Sequence, residues 1–236
     1  MIARLAWAVL GAWASLCAHS AFAQPQSTSA PDTMQERMQA CAPCHGKDGA
    51  GISNDYFPRI AGQPADYLYE QLVGFHNDQR HYAPMNYLLQ FLPESYLRRI
   101  ADYFASLHPP APPPLPPQTS LQVLARGKAI AMDGDAGHEI PACMSCHGRD
   151  LTGMETGIPG LLGLRAKYLS SQLTAVRYRA RNPTTSTCMQ RILPHMTGQD
   201  IAAVAAWLAS QQLPADARPL PVGALKLPIP CERAAP

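Results

Sequence analysis

Apolar residues recur at helical spacing along most of the chain. Leu68, Leu72 and Phe75 lie three or four positions apart, so they share one face of a helix that starts at Pro64. A later helix starts near Pro93. Its apolar positions are Leu97, Ile100, Ala101 and Phe104. No segment alternates apolar and polar residues as a half-buried strand would, so the pattern predicts an all-α protein.

The same pattern occurs a second time about 100 residues later. Residues 57–62 resemble residues 158–163 at an offset of 101, and the next helix keeps that offset. The last helix returns at an offset of 104. A period of this length is typical of two tandem domains, because each copy has the size of a small domain. Each copy is predicted to contain three helices.

The start of each copy has the spacing of a helix capping box. Thr33 and Glu36 have this spacing at the start of a helix that runs into Cys41. Thr119 and Gln122 predict a similar start for the second copy.

The N-terminus has the pattern of a secretory signal peptide. Arg4 precedes the apolar run Leu5–Leu16, and Ala21-Phe22-Ala23 is a small-x-small cleavage pattern, so cleavage is expected after Ala23. The run is shorter than the ~20 residues that a membrane span requires. We therefore predict export to the periplasm and a mature protein that is soluble.

A proline-rich segment separates the two copies. Seven prolines between Pro109 and Pro117 predict a stiff, extended spacer between the copies. The predicted segments are a signal peptide (1–23), a first helical domain (32–108), a Pro-rich linker (109–118), a second helical domain (119–213) and a Pro-rich tail (214–236).

The charges are divided unevenly between the halves. Residues 24–110 hold nine acidic and six basic side chains, whereas residues 119–236 hold eight acidic and twelve basic ones. The division predicts a dipolar molecule that orients on its partners. The net charge of the whole chain is only +2, which gives no reason to expect nucleic-acid binding.

A Cys-x-x-Cys-His motif occurs once in each copy. Its residues are Cys41, Cys44 and His45 in the first copy and Cys143, Cys146 and His147 in the second. This motif is typical of c-type haem, where two thiols bond the vinyl groups and the histidine binds the iron. A redox dithiol does not explain the histidine, and a zinc site more often adds a second cysteine or histidine pair. We predict two covalently bound haem c groups.

A methionine is the expected sixth ligand of each iron, because a thioether favours Fe(II). Met85 and Met189 follow their motifs by similar intervals, and both precede the last helix of their copy. Met154 and Met196 compete in the second copy, but neither matches the position of Met85. His81 competes in the first copy and has no histidine counterpart in the second.

Two further pairs of residues complete the predicted sites. Pro58 and Pro159 follow their motifs by 13 and 12 residues, and their carbonyls are expected to accept a hydrogen bond from the axial histidine and fix its ring. Cys188 and Cys231 remain once haem attachment and signal removal are counted, so an oxidising compartment favours a disulfide between them.

The motifs resemble those of the di-haem cytochrome c4 family. The resemblance rests on CAPCHGKDGAG and FPRIAGQPADYLYEQLVGF in the first copy, and on IPACMSCHGRDLTG and IPGLLGLRAKYLSSQL in the second. It covers about residues 33–213. It implies two domains with His/Met haems packed close together. It also implies redox protein partners: a donor such as the bc1 complex or a periplasmic dehydrogenase, and an acceptor such as a terminal oxidase, with docking at the membrane surface through these partners.

Two alternatives remain open at this point. One is a haem enzyme, of peroxidase or thiosulfate-oxidising type, in which haem 2 is exchangeable or bound by Cys188. The other is a cytochrome subunit fixed to a dehydrogenase, with the Pro-rich tail as its tether. The linker, Cys188 and the tail are the features that depart from the family pattern.

Overall fold

The computed structural model describes residues 33–155, 157–178 and 187–230. Within these ranges the protein is helical, with isolated bridges and no strand, so the all-α prediction is confirmed. The first half contains α1 (Met34–Met38), α2 (Ala42–His45), α3 (Ala65–His76), α4 (Ala83–Leu89) and α5 (Glu94–Ala105). The second half contains α6 (Leu121–Met132), α7 (Met144–His147), α8 (Ala166–Arg177), α9 (Thr187–Ile192) and α10 (Gly198–Ser210).

Local sequence explains where these helices begin. The Thr33 hydroxyl accepts from the Glu36 amide at 3.2 Å, and the Glu36 carboxylate accepts from the Thr33 amide at 2.9 Å, which confirms the first capping box. Pro64 is the N-cap of α3, so this helix begins one residue later than predicted, and Pro93 is the N-cap of α5, which was predicted to start near it.

The predicted cap of the second copy is wrong by one residue. Ser120, not Thr119, caps α6, and its hydroxyl accepts from the Val123 amide at 3.3 Å. Gln122 is therefore the second residue of the helix, and a capping box needs its acidic or amide residue at the third. Ser and Thr are both good caps, so the local pattern could not choose between neighbours.

Two separate apolar cores confirm the two-domain architecture. In the first half α3 packs against α5, and the core consists of Met38, Leu68, Phe75, Leu89, Leu97, Ile100, Ala101 and Phe104. In the second half α10 packs against α6 and α8 around residues that include Ile130, Leu169, Leu193, Ile201, Val204 and Leu208. The close contact of α6 with α10 requires Gly127, because a Cβ there would collide with the carbonyl of Ala203.

The two halves contact each other directly. The Gln63 amide spans the interface, where it donates to the carbonyl of Gly160 at 3.1 Å and accepts from its amide at 2.8 Å. Arg80 donates to the side chain of Gln172 at 2.8 Å. These polar contacts, of which the Gln63 pair is buried, join the two helical domains.

The tail folds back onto the second half. The Leu220 amide donates to the carbonyl of Gly153 at 2.9 Å, and the Glu155 amide donates to the carbonyl of Leu220 at 2.8 Å. The sequence pattern gave no reason to expect this order, because the bonds are made by the backbone and not by a periodic apolar face. None of the helices in the described ranges has the length and apolar character required to cross a membrane.

Candidate functional site

Each Cys-x-x-Cys-His motif forms a short helical turn. In the first half, a 3-10 turn that ends at Cys41 leads into α2, whose last residue is His45. In the second half, α7 follows Cys143 directly and ends at His147. Residues three positions apart on a helix share a face, so the two thiols of each motif lie on one side. None of the four motif cysteines forms a disulfide.

A glycine after each histidine turns the chain back over the motif. Gly46 and Gly148 have φ angles of 77° and 89°, in the region that side chains disfavour. The turn lets the Gly51 amide donate to the carbonyl of His45 at 2.7 Å, and the Gly153 amide to that of His147 at 2.8 Å. A Cβ on Gly46 would collide with the Gly51 carbonyl. Both copies therefore fold the same loop onto their histidine.

The two histidine rings are held by the same type of bond. Nδ1 of His45 lies 2.9 Å from the carbonyl oxygen of Pro58, and Nδ1 of His147 lies 2.7 Å from that of Pro159. A carbonyl can only accept, so Nδ1 carries the proton and Nε2 has a free lone pair. This is the tautomer that an iron ligand needs.

The cysteines and histidines of both motifs are at least partly buried. Burial lowers the pKa of His45 and of His147, although the proline carbonyl opposes the change in both; at His45 the charge of Arg80 adds to the lowering. Burial also raises the pKa of Cys41, an effect to which Cys44 adds. It raises the pKa of Cys143 to about 12. A neutral imidazole and uncharged thioethers suit such surroundings.

Each candidate methionine packs into the same cluster as a cysteine of its own motif. Met85, on α4, and Cys41 both pack against the first core. Met189, on α9, and Cys143 both pack against the second core. Both methionines are only partly buried. The arrangement suits a pair of sulfur ligands, one in each half.

The rival ligands lie in different surroundings. Met196 and Met154 are both 4 % exposed, and Met196 belongs to the second core. The backbone of Met154 pairs with Ile158 and with Leu220 of the tail. His81 lies on the surface and forms a 3.0 Å pair with Asp78.

Cys188 is in a disulfide, and its sulfur lies 3.4 Å from the carbonyl oxygen of Pro230. The predicted partner, Cys231, lies outside the described residues. The predicted pairing therefore stays a prediction, supported by the position of Pro230 directly before Cys231 in the sequence.

Sequence reasoning missed three buried polar side chains at the interface, Arg59, Gln63 and Arg165. Arg59 is 6 % exposed, Gln63 7 % and Arg165 8 %. A signal was present, because the two copies disagree there: Arg59 corresponds to Gly160 at the offset of 101. A polar residue that interrupts a repeat marks a position whose role differs between the copies.

The residues present fit a c-type haem in each half. Two free thiols on one face can form the thioethers, the oriented histidine can bind the iron, and a methionine from the same cluster can complete the coordination. The bound haem supplies a one-electron Fe(II)/Fe(III) couple. The protein's own residues attach it, orient the histidine and surround it with apolar groups.

Comparisons with known proteins agree with this geometry. The family described as Cytochrome c matches residues 124–212. The thiosulfate dehydrogenase electron acceptor of Thiomonas intermedia is 34 % identical over 89 % of this chain and 91 % of its own length. Cytochrome c4 of Pseudomonas aeruginosa is 33 % identical over 74 % of this chain and 85 % of its own length.

A solved structure shows the same fold. The crystal structure of reduced recombinant cytochrome c4 from Pseudomonas stutzeri matches with a TM-score of 0.66 at 27 % identity, over 75 % of this chain and 95 % of that one. With two Cys-x-x-Cys-His motifs on this fold, the protein carries covalently bound haem c. The chain belongs to the di-haem cytochrome c4 family of electron-transfer proteins.

Proposed function

We propose that this protein is a periplasmic electron carrier that takes electrons from a thiosulfate-oxidising dehydrogenase and passes them towards a terminal oxidase. The observation that carries the proposal is the pair of matched haem sites in one compact unit. Each has an oriented histidine and a methionine from its own core. Two sixth ligands of this kind close both irons to substrates and leave electron transfer as their chemistry.

The proposed donor is supported by similarity. The Thiomonas relative, which matches over most of both chains, is described as an electron acceptor for thiosulfate dehydrogenase. The periplasmic location is supported by the signal-peptide pattern before Gln24 and by a disulfide at Cys188, a bond that persists in oxidising compartments. The bc1 complex remains the alternative donor.

The haem-enzyme alternative depends on Cys188 as a ligand of haem 2. A thiolate binds iron, but a sulfur that is already in a disulfide has no thiolate to offer. Because Cys188 is in a disulfide, the structure favours Met189 as the sulfur ligand and the carrier over the enzyme.

The experiment uses the oxidised holoprotein with both haems attached. Thiosulfate alone is added first, and a catalytic amount of a thiosulfate dehydrogenase follows, while haem reduction is recorded optically. We expect no reduction by thiosulfate alone and complete reduction of both haems once the dehydrogenase is present.

Two controls separate the outcomes. Reduction by thiosulfate alone would make the protein an enzyme and contradict the carrier role. No reduction with the dehydrogenase, but reduction by a bc1 preparation with quinol, would replace the donor and leave the carrier role intact. The location is tested separately, by fractionating cells that express the full-length chain.

A further inference from the structure

Two buried arginines from different halves bind one loop beside the first haem site. Arg59 donates to the carbonyl of Ala50 at 3.2 Å, and Arg165 donates twice to the carbonyl of Ile52, at 3.2 and 3.1 Å. Gly51 lies between these two carbonyls, and its amide bonds the backbone of His45 at 2.7 Å. Two positive charges therefore converge on the loop that folds over the axial histidine of haem 1.

The same arginines also bind the Pro-rich linker. Arg59 donates to the carbonyl of Pro109 at 2.9 Å, and Arg165 to that of Pro113 at 3.3 Å. The aliphatic part of the Arg59 side chain lies against Gly163 of the second half. A Cβ atom placed on Gly163 would be only 3.2 Å from Cδ of Arg59. Both guanidinium groups are thus enclosed by the first half, the second half and the linker.

No carboxylate in the described ranges forms an ion pair with either arginine. Asp55, the acidic residue nearest to Ile52 in sequence, forms its 3.0 Å ion pair with Lys167 instead. Neutral carbonyls offset only part of the free energy lost when a charge leaves water, so buried charges are normally paired. Burial accordingly lowers the pKa of Arg59. Two of the five N–H groups of Arg59 bind the carbonyls, which leaves three for an anion.

Among the described residues, no such pair of arginines binds the loop that follows His147. The position that corresponds to Arg59 is Gly160, whose backbone is bonded to the Gln63 amide. The loop after His147 is bound instead by the backbone of Leu220. Arg59 and Arg165 are therefore directed to the loop of haem 1.

We propose that Arg59 and Arg165 form an anion site that binds the propionate carboxylates of haem 1, so that the second domain supplies part of the first haem site. A haem brings two carboxylates, which matches the two unpaired cations in number and sign. A guanidinium also holds a carboxylate through two parallel N–H bonds. The inference rests on haem attachment at Cys41 and Cys44, and it does not depend on which protein donates the electrons.

The pair of charges should also set the potential of haem 1. Positive charge near the iron opposes Fe(III) more than Fe(II), so it raises the potential of the haem that it faces. Since Arg165 belongs to the second half, contact between the domains becomes a condition for the full potential of haem 1.

The test measures the potential of each haem in Arg59→Gln and Arg165→Gln holoproteins by optical titration. The haem 1 signal is identified as the one that responds to Met85→Leu. Each glutamine variant is expected to shift the haem 1 equilibrium about tenfold towards Fe(III), which is about 59 mV for one electron. The haem 2 equilibrium should change by less than about threefold, since both arginines bind the loop of haem 1.

Two further variants separate charge from structure. Arg59→Lys keeps the charge and loses the forked bonds, so it should keep the haem 1 potential within about threefold while lowering the melting temperature. Arg98→Gln removes a half-exposed arginine of the same domain that pairs with Asp66 at 2.9 Å. It should change the potential of neither haem.

Three results would overturn the proposal. The first is a glutamine variant that melts earlier with an unchanged haem 1 potential, which would leave the arginines as linker contacts only. The second is an equal shift of both haems. The third is an Arg59→Lys variant whose haem 1 equilibrium shifts about tenfold or more towards Fe(III), and this result still decides if a glutamine variant fails to accumulate. No partner protein is needed, so failure here leaves the proposed carrier role untouched.

Discussion

The loops that follow His45 and His147 share the glycine turn onto the histidine but are covered by different groups. Both begin with a glycine at positive φ, and both return an amide to the carbonyl of the histidine. The first loop is bound by buried arginines, Arg59 and Arg165. The second is covered by the tail. A Cβ atom placed on Gly148 would lie 3.2 Å from Cδ1 of Leu220. One repeat thus gives one haem-binding geometry in two electrostatic environments.

The difference shows which part of a repeat carries attachment and which part carries tuning. Attachment needs the motif, the glycine and the proline carbonyl, and these recur in both halves. Under the proposal above, tuning depends on what lies outside the repeat: the linker and the facing domain cover the loop of haem 1, and the tail covers that of haem 2. The predictions below test whether the halves are alike where the repeat holds and different where it fails.

The largest effect is expected from removing one methionine at a time. Met85→Leu keeps the side-chain volume but removes the thioether, so haem 1 should lose its preference for Fe(II). We expect its potential to fall on the order of 0.2 V, a fraction of the ~0.8 V that axial ligands span. Optical titration should also show loss of the sulfur-to-ferric-iron band for one haem.

Met189→Leu is the matched variant for the second half. It should lower the potential of haem 2 to a similar extent and leave the potential of haem 1 unchanged, since the two cores are separate. Met196→Leu, in the second core, should change neither potential. If Met196→Leu removed the haem 2 band and Met189→Leu did not, the register between the copies would be wrong at this point.

The sequence predicted those parts of the fold that depend on local chemistry. Helix starts at Thr33, Pro64 and Pro93 follow from capping and from the fixed φ of proline, and both need only neighbouring residues. The bonds between histidine and proline carbonyl could be anticipated because the interval is nearly the same in both copies, 13 and 12 residues. A repeated interval is a constraint that a single copy would not provide.

The sequence could not predict contacts made between distant segments by backbone groups. Leu220 binds Gly153 and Glu155 through its amide and carbonyl, which every residue but proline possesses, so no side-chain pattern marks the site. Arg165 reaches Ile52 across 113 positions, and its burial follows from how the halves face each other. The short helices α4 and α9 also escaped prediction, since six or seven residues are too few for a clear period.

The cover of the second loop can be loosened through the predicted disulfide between Cys188 and Cys231. In the chain-entropy model a cross-link that closes a loop of ~43 residues stabilises a fold by about 4 kcal/mol at most. Cys231→Ser should therefore lower the free energy of unfolding of the second domain by up to that amount. Thermal unfolding, followed separately at the two haems, measures the change.

Two observations would contradict this pairing. Thiol labelling of the unfolded, unreduced holoprotein should find no free cysteine, so a label on Cys231 would exclude it as the partner of Cys188. Equal destabilisation of both domains by Cys231→Ser would show that the tail does not act on the second half alone. Val222→Ala, a change at a tail residue that is 69 % exposed, serves as the control.

Acid should destabilise the second half through a network centred on Arg126. The guanidinium binds Asp135 and Asp200 at 2.8 Å each, and so joins α6 to the cap of α10. Hydrogen bonds from His138 and then Arg126 lower the pKa of Asp135. Burial raises that of Asp200, but the bonds from Thr197 and Arg126 outweigh it and the net change is a lowering.

The sign of the pH dependence follows from these lowered pKa values. The contribution to stability is complete above the ordinary carboxyl pKa of about 4, and it is lost as the pH falls through the lower folded values. The second domain should therefore lose stability below about pH 4, as measured by melting at haem 2. Arg126→Gln should lower its melting temperature at pH 7 and reduce the further loss in acid. If Arg126→Gln lost as much stability in acid as the wild-type protein does, the network would not be the cause of the acid sensitivity.

The smallest effect compares one exposed cation beside each motif. Lys47 and Arg149 occupy matched positions, directly after the glycine that follows each histidine, and both are exposed. The first lies in the half with an excess of acidic residues and the second in the half with an excess of basic ones. At low salt, ferricyanide, an anion, should therefore oxidise the reduced protein faster through haem 2 than through haem 1.

Arg149→Gln should slow this reaction about two- to threefold at low salt and hardly at all at 0.15 M, where the screening length is about 8 Å. Lys47→Gln should have less effect, because the surrounding acidic charge already repels the anion. Stopped-flow traces at two ionic strengths measure both variants, and an equal effect of the two substitutions would mean that the division of charge between the halves does not direct small ions to either haem.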